Sequence, residues 1–202
     1  MKEKTISENF RAVYSEIDPH EAARRCRIAY DSGKERFEIS IFGASHYLSF
    51  PQGILTDADG NETSEYAVLT LIFRHLTEFC YRQPQGRLLS YREIPWGEVF
   101  FPNFSVTCIK DLADFFGSDL NSFHLAMSRI PSVKTDMGDA SFRFSFIEDY
   151  GITFILWESD EEFPPSAQIL FDDNFPYAFS AEDIAVIGEI AVSKIKGLLQ
   201  KY

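Results

Sequence analysis

The C-terminal segment places the tightest demand on what this chain can fold into. Ile184, Ile187, Gly188, Ala191, Ile195, Leu198 and Leu199 recur at helical spacing and form one unbroken apolar stripe. Ser180, three residues before Asp183, predicts a capping-box start, with Phe179 and Ile184 as a hydrophobic staple. An amphipathic helix of this length is marginal in water by itself. The rest of the chain must therefore supply an apolar surface for it.

The material for such a surface is plentiful. Phe (20), Tyr (9) and Trp (2) supply bulky core side chains, and hydrophobic residues make up 45% of the 202. That balance excludes a disordered tail, a collagen-like repeat and a polytopic membrane protein. Phe142–Phe146 alternates with period two, and Ile152–Trp157 and Gln168–Phe171 read as two further strands, the first following a turn at Asp149–Gly151. Nearer the N-terminus the pattern predicts a helix over 5–16. A second opens on Asp18-Pro19 and ends at Gly33. A hairpin joins Phe37–Ile41 to Tyr47–Phe50, a turn falls at Asp57–Gly60, and a central helix spans about Ser64 to Phe79. Leu88–Ile94 reads as extended or irregular, and two helices follow around Ile109–Phe116 and Leu120–Ile130. The expectation is one α+β domain over 1–202, a mainly antiparallel sheet packed with helices and closed by a long C-terminal amphipathic helix. Residues 5–60 contribute the N-terminal helices and hairpin, and 61–202 the core.

Charge narrows the range of partners. Lys+Arg 19 against Asp+Glu 31 gives a net charge of −12, and residues 102–202 carry −9 of it. Arg143 is the last cation before Lys194, and eleven carboxylates lie between them. A field of this sign repels phosphate backbones and anionic lipid, so the reading is no nucleic acid and no membrane. Met1–Ile6 runs into charged residues without an apolar signal core, which predicts a cytoplasmic protein.

Cys26, Cys80 and Cys108 are scattered and odd in number, so neither a structural zinc nor an iron–sulfur cluster is expected. Each sits among apolar neighbours and reads as a buried small hydrophobe. Gly-rich phosphate loops, a nucleophile elbow and paired-histidine metal motifs are absent. Asp57-x-Asp59-x-Asn61 begins like a calcium loop, but Glu62 stands where glycine is required and Val68 where a bidentate glutamate belongs.

One region has the composition of a site. Trp157-Glu158-Ser159-Asp160-Glu161-Glu162-Phe163-Pro164-Pro165 crowds four carboxylates at the end of an apolar strand, and Asp172-Asp173 ends the next strand. Were the two strand ends to meet at one rim, Asp160, Glu161, Glu162 and Asp172 could hold a hard cation or act in acid–base chemistry. The bland reading is a solvated loop stiffened by its prolines. The embedded aromatics argue for organisation, with Trp157 and Phe163 packed, Asp160 and Asp172 tied down, and Glu161 exposed.

Several segments carry a resemblance: Tyr91-Arg92-Glu93-Ile94-Pro95, Leu112-Ala113 with Phe116-Gly117, Gly138-Asp139, Leu156-Trp157-x-x-Asp160-Glu161-Glu162-Phe163-Pro164, Ile169-Leu170-Phe171-Asp172 and Glu182-Asp183-Ile184. From about residue 60 to 200 the chain resembles the bacterial and archaeal domain-of-unknown-function family 3786. The resemblance implies an anaerobe and, through longer relatives that carry a four-cysteine segment, a link to corrinoid one-carbon chemistry. This chain lacks that segment. Three readings follow. An accessory or small-ligand-binding module would use Arg92 and Trp157 beside the carboxylates. A metal-dependent, hydrolase-like enzyme would gather Asp160, Glu161, Glu162 and Asp172 around an ion. An interaction domain would dock a basic protein partner on the acidic face.

Overall fold

The structure is a computed structural model that describes residues 2–63 and 65–199. The chain divides into two compact units, one of residues 1–83 with 177–179 and one of 84–176 with 180–202.

The first unit opens with α1 (Lys2–Tyr14) and α2 (Pro19–Cys26). Asp18 caps α2, its carboxylate accepting from the amides of His20 and Glu21. The helix stops seven residues before Gly33 because Arg27 turns left-handed at φ 55°, and the chain continues extended. Four strands form an antiparallel meander: β1 (Ala29–Asp31), β2 (Arg36–Ile41), β3 (Ala44–Ser49) and β4 (Leu55–Asp57). The β2–β3 hairpin turns on Phe42 and Gly43, both at positive φ, the geometry that matches strand twist. The Asp57 carboxylate accepts from the amides of Asp59 and Asn61, which makes this segment a self-satisfied turn. The helix α3 (Tyr66–Glu78) packs against α1 and α2; position 64, its expected start, lies outside the described residues.

Tyr14, Phe37, Leu48, Phe73 and Leu76 are fully buried and make the core of this unit, with the Tyr14 ring 4.9 Å from that of Phe73. Gly53, at φ +64°, lies against Phe73 with no room for a Cβ. His75 of α3 is 1% exposed and stacks on Phe179 at 5.4 Å. The cysteines divide: Cys26 is buried here and Cys108 in the second unit, whereas Cys80 is exposed and corrects the expectation that all three are buried.

The second unit is built on a sheet of five antiparallel strands, in the order β5 (Leu88–Ser90), β9 (Ser166–Asp172), β8 (Gly151–Trp157), β7 (Ala140–Ser145), β6 (Ser132–Lys134). One face is apolar throughout: Phe142, Phe144, Ile152, Phe154, Ile169 and Phe171 share it by register. Helices cover this face. Phe104 of α4 (Gly97–Phe104) reaches Phe171, and Phe123 of α6 (Leu120–Met127) reaches Phe142. A π-helical stretch, Ser105–Lys110, joins α4 to α5 (Asp111–Phe116), so the helix begins twelve residues before the expected Ile109 despite Pro102 inside it. A short turn of helix, α7 (Phe175–Ala178), follows β9. The last helix, α8 (Ala181–Gly197), lies on α4, α5 and α6. Its capping box is present in both directions, Ser180 to Asp183 and back. Gly188 is the point of closest approach, where a Cβ would stand 2.6 Å from Phe104. Among the described residues no helix is long and apolar enough to cross a membrane.

Two outcomes follow. Ile187 is fully buried on α8, so Ile187→Asp places an unpaired charge in the core at a cost above about 4 kcal/mol. Insoluble or molten protein is expected by circular dichroism, and an unchanged Tm would contradict the packing. Burial pushes the His75 imidazole down to about 4. An unfolded histidine protonates near pH 6.5, so between about 6.5 and 4 the unfolded chain takes up a proton that the folded chain refuses. Stability measured by urea unfolding should fall over that window by up to about 1.4 kcal/mol per pH unit from this residue. His75→Gln should remove that part of the slope; equal slopes in both proteins would contradict it.

Candidate functional site

The opposite face of the five-stranded sheet is polar at its centre. Arg143 on β7 stands directly across from Thr153 on β8, and the register that pairs Ile152 with Phe171 brings Gly151 beside Asp172 on β9. Side chains alternate along each strand, so these four residues share the face not covered by the Phe142–Phe171 packing.

Arg143 spans three strands there. Its Nε donates to Asp172 Oδ1 at 3.3 Å and its Nη2 to Oδ2 at 2.5 Å, a two-pronged pair. The guanidinium lies flat on Gly151, where a Cβ would come within 2.2 Å of Nη2. Glycine is what gives the arginine its bed. Asp172 is 5% exposed, and its hydrogen bonds push the Arg143 pKa up. The partner strengthens a charge that burial opposes.

Two polar side chains, one across from Arg143 and one in the turn after β9, are buried without a hydrogen bond. Thr153 is 1% exposed and its Oγ1 has no partner. Asn174, two residues beyond Asp172, is also 1% exposed, and neither atom of its carboxamide is paired. Its turn is fixed by Asp173, whose carboxylate accepts from the Gln85 amide at 2.9 Å and whose own amide donates to Arg87 O. Buried polar groups in proteins are satisfied as a rule, by protein or by ordered water. Thr153 offers a hydroxyl, able both to donate and to accept, on the face that carries Arg143.

The residues singled out from the sequence do not converge. β8 and β9 are neighbours but antiparallel, so Trp157 ends β8 at one end of the sheet and Asp172 ends β9 at the other, about 20 Å along the strands. Asp160, Glu161 and Glu162 sit on the connection between them. This overturns the shared rim. Asp160 is tied as expected, its Oδ1 accepting from the amides of Glu162 and Phe163 at 2.8 and 2.7 Å. Glu161 and Glu162 are exposed. Phe163 is 66% exposed and Trp157 38%, so neither is the packed anchor that the sequence suggested. The loop is held instead by Pro165 against Gly117 and by the Glu158 amide on Asp139. Arg92 is exposed on a single 3-10 turn, 3.8 Å from Glu98 and stacked at 3.9 Å over Phe101. Among the described residues no three His, Cys, Asp or Glu side chains are grouped to hold a metal ion.

Arg143, Thr153 and Asn174 were missed. The signal for Arg143 was present: it is the one cation in an alternating apolar strand, at the edge of a long stretch without Lys or Arg. The buried state of Thr153 and Asn174 had no local signature.

An α+β chain with this order of elements, its helices on one face of an antiparallel sheet, is the class that the geometry defines. The chain belongs to the family described as a domain of unknown function, DUF3786, whose pattern matches residues 18–194. No curated protein and no solved structure matches it.

Removing one member of the buried pair strands the other. Asp172→Asn should therefore lower stability by about 1–3 kcal/mol, whereas Glu161→Gln should stay within about 0.5 kcal/mol. Urea unfolding of the two variants checks this; equal midpoints would show that the pair has no structural weight.

Proposed function

We propose that this chain is a cytoplasmic, non-catalytic accessory module that binds a small polar, anionic ligand at the Arg143–Asp172 face. The setting is the anaerobic one-carbon metabolism that the family resemblance implies. One observation carries the reading: the unpaired, buried Thr153 hydroxyl on the same face as a half-buried arginine. A buried hydroxyl without a partner costs free energy. A ligand that accepts from Thr153 and Arg143 would recover it. The hydrolase-like alternative is less well supported, because Asp160 and Asp172 stand too far apart to share one ion.

Docking of a protein partner has one observation behind it. Trp96 is 79% exposed and held at φ 68°, a left-handed conformation that costs a residue with a Cβ, and Val99 is exposed beside it in sequence. It is the second reading.

Thr153→Val discriminates cleanly. It keeps shape and removes an unpaired group, so the unliganded protein should be as stable as the wild type or more so. In a thermal-shift and calorimetric screen of small carboxylates, phosphate esters and cobalamin, at least one probe should raise the wild-type Tm. The valine variant should bind it at least tenfold more weakly, the loss of one good hydrogen bond to a charged group. Loss of stability in Thr153→Val with no probe bound would place the hydroxyl in the scaffold and remove the reading.

A further inference from the structure

We propose that Cys26 and Cys80, both in the first unit, form a reversible disulfide by exchange with a small anionic disulfide. The two residues are brought together at the ends of α2 and α3. Cys26 is the last residue of α2, and Cys80 lies two residues beyond the end of α3. The Tyr81 amide donates to Arg25 O at 2.9 Å, which pins the residue after Cys80 to the residue before Cys26. Bond lengths around that contact keep the two Cα atoms within about 8 Å. The Cys26 thiol closes the gap further, donating to His75 O at 3.2 Å and lying 3.7 Å from Phe79 O, the carbonyl bonded to the Cys80 nitrogen. A disulfide needs Cα atoms at roughly 4.4–6.8 Å, a range that lies inside this limit.

The two thiols differ in a way that suits exchange. Cys80 is exposed and Cys26 is buried. Two arginines sit on tyrosines that adjoin Cys80 in sequence or by a backbone hydrogen bond. Arg27 stacks over Tyr81 at 5.1 Å and donates to its hydroxyl at 3.1 Å. Arg82 stacks at 4.0 Å over Tyr177, whose carbonyl accepts from the Cys80 amide at 3.4 Å. These cations favour approach of an anionic reagent. Cys108 does not compete, since it is buried in the second unit.

The exchange balances without any further oxidant. The Cys80 thiolate attacks one sulfur of the small disulfide; an S–S bond forms to Cys80 and one small thiolate leaves and takes up a proton. Cys26, giving up its proton, then attacks the Cys80 sulfur and displaces the second small thiolate. Two protein thiols are oxidised and one small disulfide is reduced to two thiols. The second step is intramolecular, so Cys26 needs no opening to solvent.

The test is to incubate the full chain with oxidised glutathione, block remaining thiols by alkylation and map the peptides by mass spectrometry. The expected result is a fall from the three free thiols to one, Cys108, with Cys26 and Cys80 in one linked peptide, no glutathione retained, and full reversal by a reductant. Cys26→Ser should stop at one glutathione on Cys80. Wild-type protein that keeps three free thiols, or that carries glutathione on Cys80 beside a free Cys26, would overturn the proposal.

Discussion

The ion pair between Arg143 and Asp172 joins β7 to β9 across the strand that separates them, and its geometry depends on a bare backbone at Gly151. A carboxylate 5% exposed is tolerable only while a cation faces it. A slip of one residue in either strand would turn Arg143 or Asp172 to the phenylalanine face and leave its partner buried and uncompensated. The pair thus works with the apolar face to specify one register. Phe142, Phe144 and Phe154 demand the helices on one side, and Arg143 and Asp172 demand each other on the other.

That division of labour also locates function. The helical layer closes one face with aromatic packing, from the stacked Tyr91 and Phe104 rings at 4.1 Å to Gly188 of α8 against Phe104. A face so filled has no room for a ligand. The other face combines charge and an unpaired hydroxyl on rigid strands, and rigid elements hold polar groups in the fixed geometry that recognition needs.

Most of the secondary structure was legible because its signals are local. The Asp18 cap, the β2–β3 hairpin, the alternation of β7 and the Ser180–Asp183 box each act within a few residues. Misreadings arose where tertiary context or backbone conformation overrode pattern. Arg27 adopts a left-handed φ and stops α2 without a glycine, and Pro102 hides a helix that continues through a π-helical stretch. The candidate site failed for a different reason. Acidic residues at the ends of two consecutive strands look alike in sequence, yet an antiparallel hairpin sends those ends to opposite edges of the sheet. The same parity, followed through, puts Asp172 on the face of Arg143. What no local pattern could announce is that Thr153 and Asn174 are buried without partners, since burial of a small polar residue is decided by the residues packed over it.

A double-mutant cycle on Arg143 and Asp172 tests the central claim most directly. Urea unfolding of Arg143→Met, Asp172→Leu and the combined variant yields their interaction free energy. A pair that fixes the register should show each single variant destabilised and the double variant recovering at least about 1.5 kcal/mol of the summed loss, because an apolar pair replaces a charge left alone. Additive losses, agreeing within about 0.5 kcal/mol, would mean that the two side chains act independently and that the sheet is held in register by its apolar face alone.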